Sequence, residues 1–125
     1  MNLPRIVLTI EGHRIDALVA RSDEDRAQGL MECTSLAEHE GMLFIHDAPI
    51  EACFWMKNTP LDLSIAFIDD EGKILNVEEM TAGSLEGTRA AGLTRFVLEM
   101  NSGWFAERDI SGGALMEGLP LPAQA

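Results

Sequence analysis

The string Phe54-Trp55-Met56-Lys57-Asn58-Thr59-Pro60-Leu61-Asp62 holds the densest chemistry in the chain. An apolar, aromatic run gives way to a cation, an amide, a hydroxyl and a carboxylate. Pro60 restricts the backbone and biases Thr59 toward extended geometry, so a strand end here would project a polar cluster from a rigid apolar base. The same residues also suit an ordinary solvated turn in which Asn58 and Thr59 bond their own backbone. Lys57 is one of only two lysines, the other being Lys73. It can pair with Asp62, an exposed contact worth under about 1 kcal/mol, or hold an anionic ligand group. Desolvated by Phe54 and Trp55, it would have a lowered pKa and could act as base or nucleophile.

Two further segments combine polar and core-forming residues. Arg26-Ala27-Gln28-Gly29-Leu30-Met31 ends a predicted helix with a glycine that permits close packing beside large apolar side chains. Alternation in Arg95 to Asn101 sets Arg95, Val97 and Glu99 on one strand face and Phe96, Leu98 and Met100 on the other. A buried Glu99 would need a partner such as Arg26 or Lys57. The methionines at 31, 42, 56 and 100 read as core filler.

Standard catalytic and cofactor motifs are missing. The chain has no phosphate-cradling glycine loop, no HExxH and no nucleophile elbow. His13, His39 and His46 share no ligand spacing and read as surface or satisfied loop residues, so neither a metal nor a cofactor is expected. Nine Lys and Arg against 21 Asp and Glu give a net charge of −12, a field that repels phosphate backbones and anionic lipid surfaces. Nucleic acid is therefore not an expected partner. No run approaches the roughly 20 apolar residues of a membrane span. The two cysteines, Cys33 and Cys53, are expected as free thiols.

The elements that must position these residues are mostly strands. Ile6 to Ile10 and Ile15 to Val19 alternate across Glu11-Gly12 and predict a hairpin. Ser22 followed by three acids predicts a capped helix from about Asp23 to Leu30. A second helical turn is expected over Leu36 to His39. Met42 to Ile45 reads as a buried strand, His46 to Glu51 as a Pro-containing loop, and Ala52 to Met56 as another strand. Leu61 to Phe67 alternates and pairs with Lys73 to Met80 through the Asp69 to Gly72 turn. Thr81 to Leu93 reads as a long loop, with a helical turn near Arg89 to Ala91. Arg95 to Met100 is a strand, and Trp104 to Glu107 a short helix. The chain length of 125 residues suits one domain, drawn here over residues 1–118 with a flexible Pro-containing tail at 119–125. The fold expected is mainly β or α+β, a curved antiparallel, barrel-like sheet with two or three short helices.

Taken in order, these segments resemble the bacterial and archaeal family called domain of unknown function 192. The resemblance is carried by Arg26 with Gly29-Leu30-Met31, by Gly41-Met42-Leu43-Phe44, and by Phe54 through Thr59 with Leu61-Asp62. It continues through Phe67-Ile68-Asp69, Gly72-Lys73-Ile74 and Arg95-Phe96-Val97-Leu98-Glu99 with Asn101 and Gly103. It implies a small, mostly β domain of no established activity, of a kind often exported behind a leader or lipid anchor. As written the chain reads as cytoplasmic; with a leader removed it would be periplasmic. Two features depart from the family pattern. Thr81 to Leu93 lacks the Cys- and Pro-rich stretch of many members, and Gly112-Gly113-Ala114-Leu115 replaces a Gly-Asp pair and final strand.

The leading expectation is a non-enzymatic binding or accessory domain. Its site would draw on Arg26, Trp55, Lys57, Asn58, Thr59, Asp62 and Glu99 and take a small polar or anionic group. Alternatives are a hydrolase- or lyase-like enzyme using Lys57 with Asp62 or Glu99, and a buried polar network beneath a protein-interaction surface.

Overall fold

The computed structural model describes residues 3–120. Strand β1 (Arg5–Ile10) turns at Glu11-Gly12 into β2 (His13–Ala20), with Ile10 opposite His13. Helix α1 (Asp23–Gln28) starts where the Ser22 hydroxyl accepts the Asp25 amide at 3.0 Å, with three acids in its first turn. It ends at Gly29, whose φ of 48° disfavours a side chain and whose Cβ would lie 3.3 Å from the Phe44 ring. The remaining strands are β3 (Glu40–Phe54), β4 (Leu63–Ile68), β5 (Ile74–Met80), β6 (Thr88–Asn101) and a two-residue β7 (Met116–Glu117).

The described residues form one seven-stranded sheet in the order β5-β4-β6-β3-β2-β1-β7. All pairings are antiparallel except β2 with β3, so the sheet is mixed rather than purely antiparallel. The α1 connection makes the parallel pairing feasible, because a tight turn cannot join parallel strands. The sheet curls until one segment reaches both of its edges. Ile74 donates to the Ala114 carbonyl and Met116 to the Gly72 carbonyl at 2.8 Å each, while Met116 pairs with Ile10 of β1. Each sheet face carries its own apolar cluster. The first contains Leu8, Leu43, Phe96, Leu98, Trp104 and Phe105; the second contains Leu30, Met42, Phe44, Met56, Phe67 and Val97.

Several sequence expectations are corrected. The two or three helices reduce to the six-residue α1 and a 3-10 turn at Ala106–Arg108. Leu36 to His39 forms no helical turn, and Arg89 to Ala91 is strand. His46 to Glu51 is not a loop: β3 continues through it, absorbing Pro49 where the β3–β6 register shifts between Ile45 and Ile50. Its partner β6 begins at Thr88, which shortens the expected Thr81 to Leu93 loop to 81–87. Leu119, the first residue of the expected tail, packs on the first cluster; the rest of that tail from residue 121 on lies outside the described residues.

Candidate functional site

The β3–β6 pair has two halves of different character. Glu40 to Ile45 runs through the middle of the sheet, and after the register shift Asp47 to Phe54 forms an exposed arm with the start of β6. The arm returns Phe54 to the second apolar cluster, where its ring meets Phe44 edge-on at 5.0 Å and Phe67 at 6.1 Å. Trp55 to Thr59 then runs past the end of α1. Between these segments lies a cavity of about 260 Å³ whose wall includes Arg26, Phe44, His46, Trp55, Lys57 and Glu99.

Glu99 enters this cavity from an interior strand, flanked by Met42 of β3 and Ile65 of β4. It is 4% exposed, and its carboxyl makes no hydrogen bond or ion pair among the described residues. Burial pushes its pKa up to about 8, so the group carries its proton at neutral pH. Gly41 allows β3 to lie this close to β6, since a Cβ there would overlap the Glu99 carbonyl and the Met100 sulfur.

Neither expected partner reaches Glu99. The Arg26 guanidinium donates to the carbonyls of Arg21 and Ile45, the latter at 2.8 Å, and pairs with Asp23 at 2.5 Å. Lys57 is exposed, with its ammonium 5.7 Å from the centre of the Trp55 ring. It forms no ion pair with Asp62 among the described residues, and it is not desolvated. The sequence reads His46 as a surface or satisfied loop residue. Its Nε2 is instead buried without a hydrogen-bond partner. Burial, assisted by Arg26 and Arg95 and opposed by Asp47, lowers its pKa and keeps the imidazole neutral at pH 7.

The seven sequence-proposed residues therefore divide. Arg26, Trp55, Lys57, Thr59 and Glu99 line the cavity. Thr59 is buried and donates to the Lys57 carbonyl at 3.3 Å. Asn58 adopts a φ of 58° and offers its carbonyl to the Glu32 amide at 2.8 Å, so it shapes the loop rather than the cavity. Asp62 accepts the Ala82 amide at 2.8 Å and ties down the β5–β6 loop. Asn58 also lines a separate, wider hollow of about 670 Å³ with Glu32, Pro60 and Leu85. Sequence reasoning missed His46 and Phe44 as wall residues. Their shared parity with Met42 would have revealed both had β3 been continued past Ile45. Cys33 and Cys53 carry free thiols, and Cys53 lies on the cavity wall.

The family model of DUF192, an uncharacterized ACR family, matches residues 6–118. The chain belongs to the DUF192 family. The cavity and its buried glutamate are thus features of a DUF192 domain. Two solved structures are similar throughout. A "putative transcription regulator" from Sinorhizobium meliloti 1021 superposes with a TM-score of 0.90 at 28% identity, covering 94% of this chain and 96% of its own. A protein of unknown function from Novosphingobium aromaticivorans DSM 12444 does so with a TM-score of 0.87 at 33% identity, covering 92% and 86%. No curated protein matches the chain. No helix of the described residues is long and apolar enough to cross a membrane.

Proposed function

We propose that this DUF192 domain binds a small molecule in the cavity between α1, β3 and the Trp55 to Thr59 segment. One observation carries the reading: the Glu99 carboxyl, buried to 4% exposure and without a hydrogen-bond or ion-pair partner among the described residues, lines the cavity. Buried polar groups are nearly always bonded, because an unmade bond costs about 1–3 kcal/mol. A ligand entering the cavity would give the Glu99 carboxyl its partner. Trp55, Phe54 and Met56 supply apolar wall, and Lys57 supplies a charge at the rim. In this reading Asn58 and Asp62 hold the loop and do not touch ligand. The regulator description of the Sinorhizobium neighbour does not extend to DNA binding here, since a field of −12 opposes it.

Thermal stabilisation across a metabolite library tests the proposal. Binders should raise the melting temperature of the wild-type chain and raise it less in Glu99→Gln. A well-folded sample stabilised by no compound overturns it. A second reading, hydrolase- or lyase-type chemistry with Glu99 as general acid, draws support from its pKa near 8. Lys57, exposed and stacked on Trp55, is less suited to the base role.

A further inference from the structure

We propose that the cavity's ligand is a small organic cation, a primary ammonium with a short apolar body, whose N–H groups are received by the Glu99 carboxylate. This deepens the binding function just proposed and rests on it.

The unpaired Glu99 carboxyl argues for a cation. Every arginine near Glu99 is engaged elsewhere: Arg26 with Asp23 and two carbonyls, and Arg95 with the His46 carbonyl. Lys57 stays at the rim above Trp55. A buried carboxyl that the fold leaves without a counter-charge is receptive to one brought from outside, because pairing offsets the cost of ionising it.

The rest of the wall suits the remainder of such a ligand. Phe44, Phe54 and Trp55 present π-systems and Met31 and Met56 present thioethers, all favourable next to a cation or a hydrocarbon chain. The cavity of about 260 Å³ has room for an amine of the size of benzylamine. At longer range the −12 field concentrates cations around the molecule.

Pairing with Glu99 carries a proton signature. At pH 7 the free group holds a proton, and an incoming ammonium must displace it to solvent. The titratable and charged groups around that space are His46 and Asp47 of β3, Arg26 with its partner Asp23 on α1, Lys57 at the rim, and Arg95, which shares the Glu99 face of β6 behind the wall. Its β4 neighbour is Ile65.

Benzylammonium and n-butylammonium are the probes, set against benzyl alcohol, n-butanol, benzoate and butyrate. Binding is followed by the Trp55 indole and His46 ring resonances at pH 7. Both ammoniums should shift these signals saturably, the alcohols and carboxylates should bind at least about tenfold more weakly, and calorimetry in buffers of different ionisation enthalpy should show close to one proton released per amine. Glu99→Gln should weaken the ammoniums at least about tenfold and leave the alcohols unchanged. Proton release is read on the wild-type chain and stands if that variant fails to fold. Binding of ammoniums without proton release, or undiminished by Glu99→Gln, overturns the inference. So does preference for the carboxylates, or silence from all six probes. In the last two cases a library compound that stabilises the chain through Glu99 leaves the binding function intact while the cation assignment fails.

Discussion

The Glu99 proton couples folding to pH. In the native chain the carboxyl titrates near 8, and once unfolded it titrates near the ordinary 4.5, so between those values the folded state binds the extra proton. Stability from this group is present in full below about pH 4.5 and is lost as pH rises toward 8, with a slope on the order of 1 kcal/mol per unit. Glu99→Gln removes the slope. Urea midpoints of wild type and variant should nearly coincide at pH 5 and diverge by pH 8, with the variant the more stable. Parallel lines across that range would contradict the burial assigned to Glu99. Asp62 makes the opposite prediction. Asp62→Ala leaves the Ala82 amide without its acceptor, so hydrogen exchange at Ala82 should accelerate while ligand binding in the cavity is unchanged. The sequence identified Lys57 and Asp62 by their chemical types, yet their partners are set by where β3 and the β5–β6 loop bring the backbone, which side-chain type does not encode.

Helix α1 and the long β3 decide the shape of the cavity. Gly29 closes α1 with a left-handed φ and lies against Phe44, so Gly29→Ala combines backbone strain with a close contact. It should cost roughly 1–3 kcal/mol in chemical denaturation and reduce binding in the cavity. The hairpins β1–β2 and β4–β5 were legible because one alternation and one turn fix a local pairing. The continuation of β3 past Ile45 was hidden because Pro49 and the exposed run beyond it look like a loop, and only the β6 strand opposite holds them extended. The early start of β6 was hidden by the same mutual dependence. Small residues with little strand preference, Ala90, Ala91 and Gly92, are held there by tertiary pairing. The parallel β2–β3 contact was equally unreadable, since nothing local distinguishes it from an antiparallel one.

At the scale of the whole molecule, the segment from Gly113 to Glu117 joins the two ends of the sheet. Met116 is buried in the first cluster while its backbone bonds to Gly72 and pairs with Ile10. Met116→Ala should therefore destabilise by about 2–5 kcal/mol, and hydrogen exchange should rise together at amides of β1 and the start of β5. Faster exchange at one edge alone would mean that the join is not cooperative. The Asn76 side chain of β5 covers the start of β6 instead: its amide donates to the Arg89 carbonyl at 3.2 Å and its oxygen accepts the Ala91 amide at 2.9 Å, in the manner of a strand backbone. Exposed strand edges are templates on which other chains polymerise. By engaging part of each edge with the Gly113 to Glu117 segment, and the start of β6 with an asparagine, this domain narrows the ladder available for strand addition, a built-in resistance to amyloid-like growth in a sheet-rich chain.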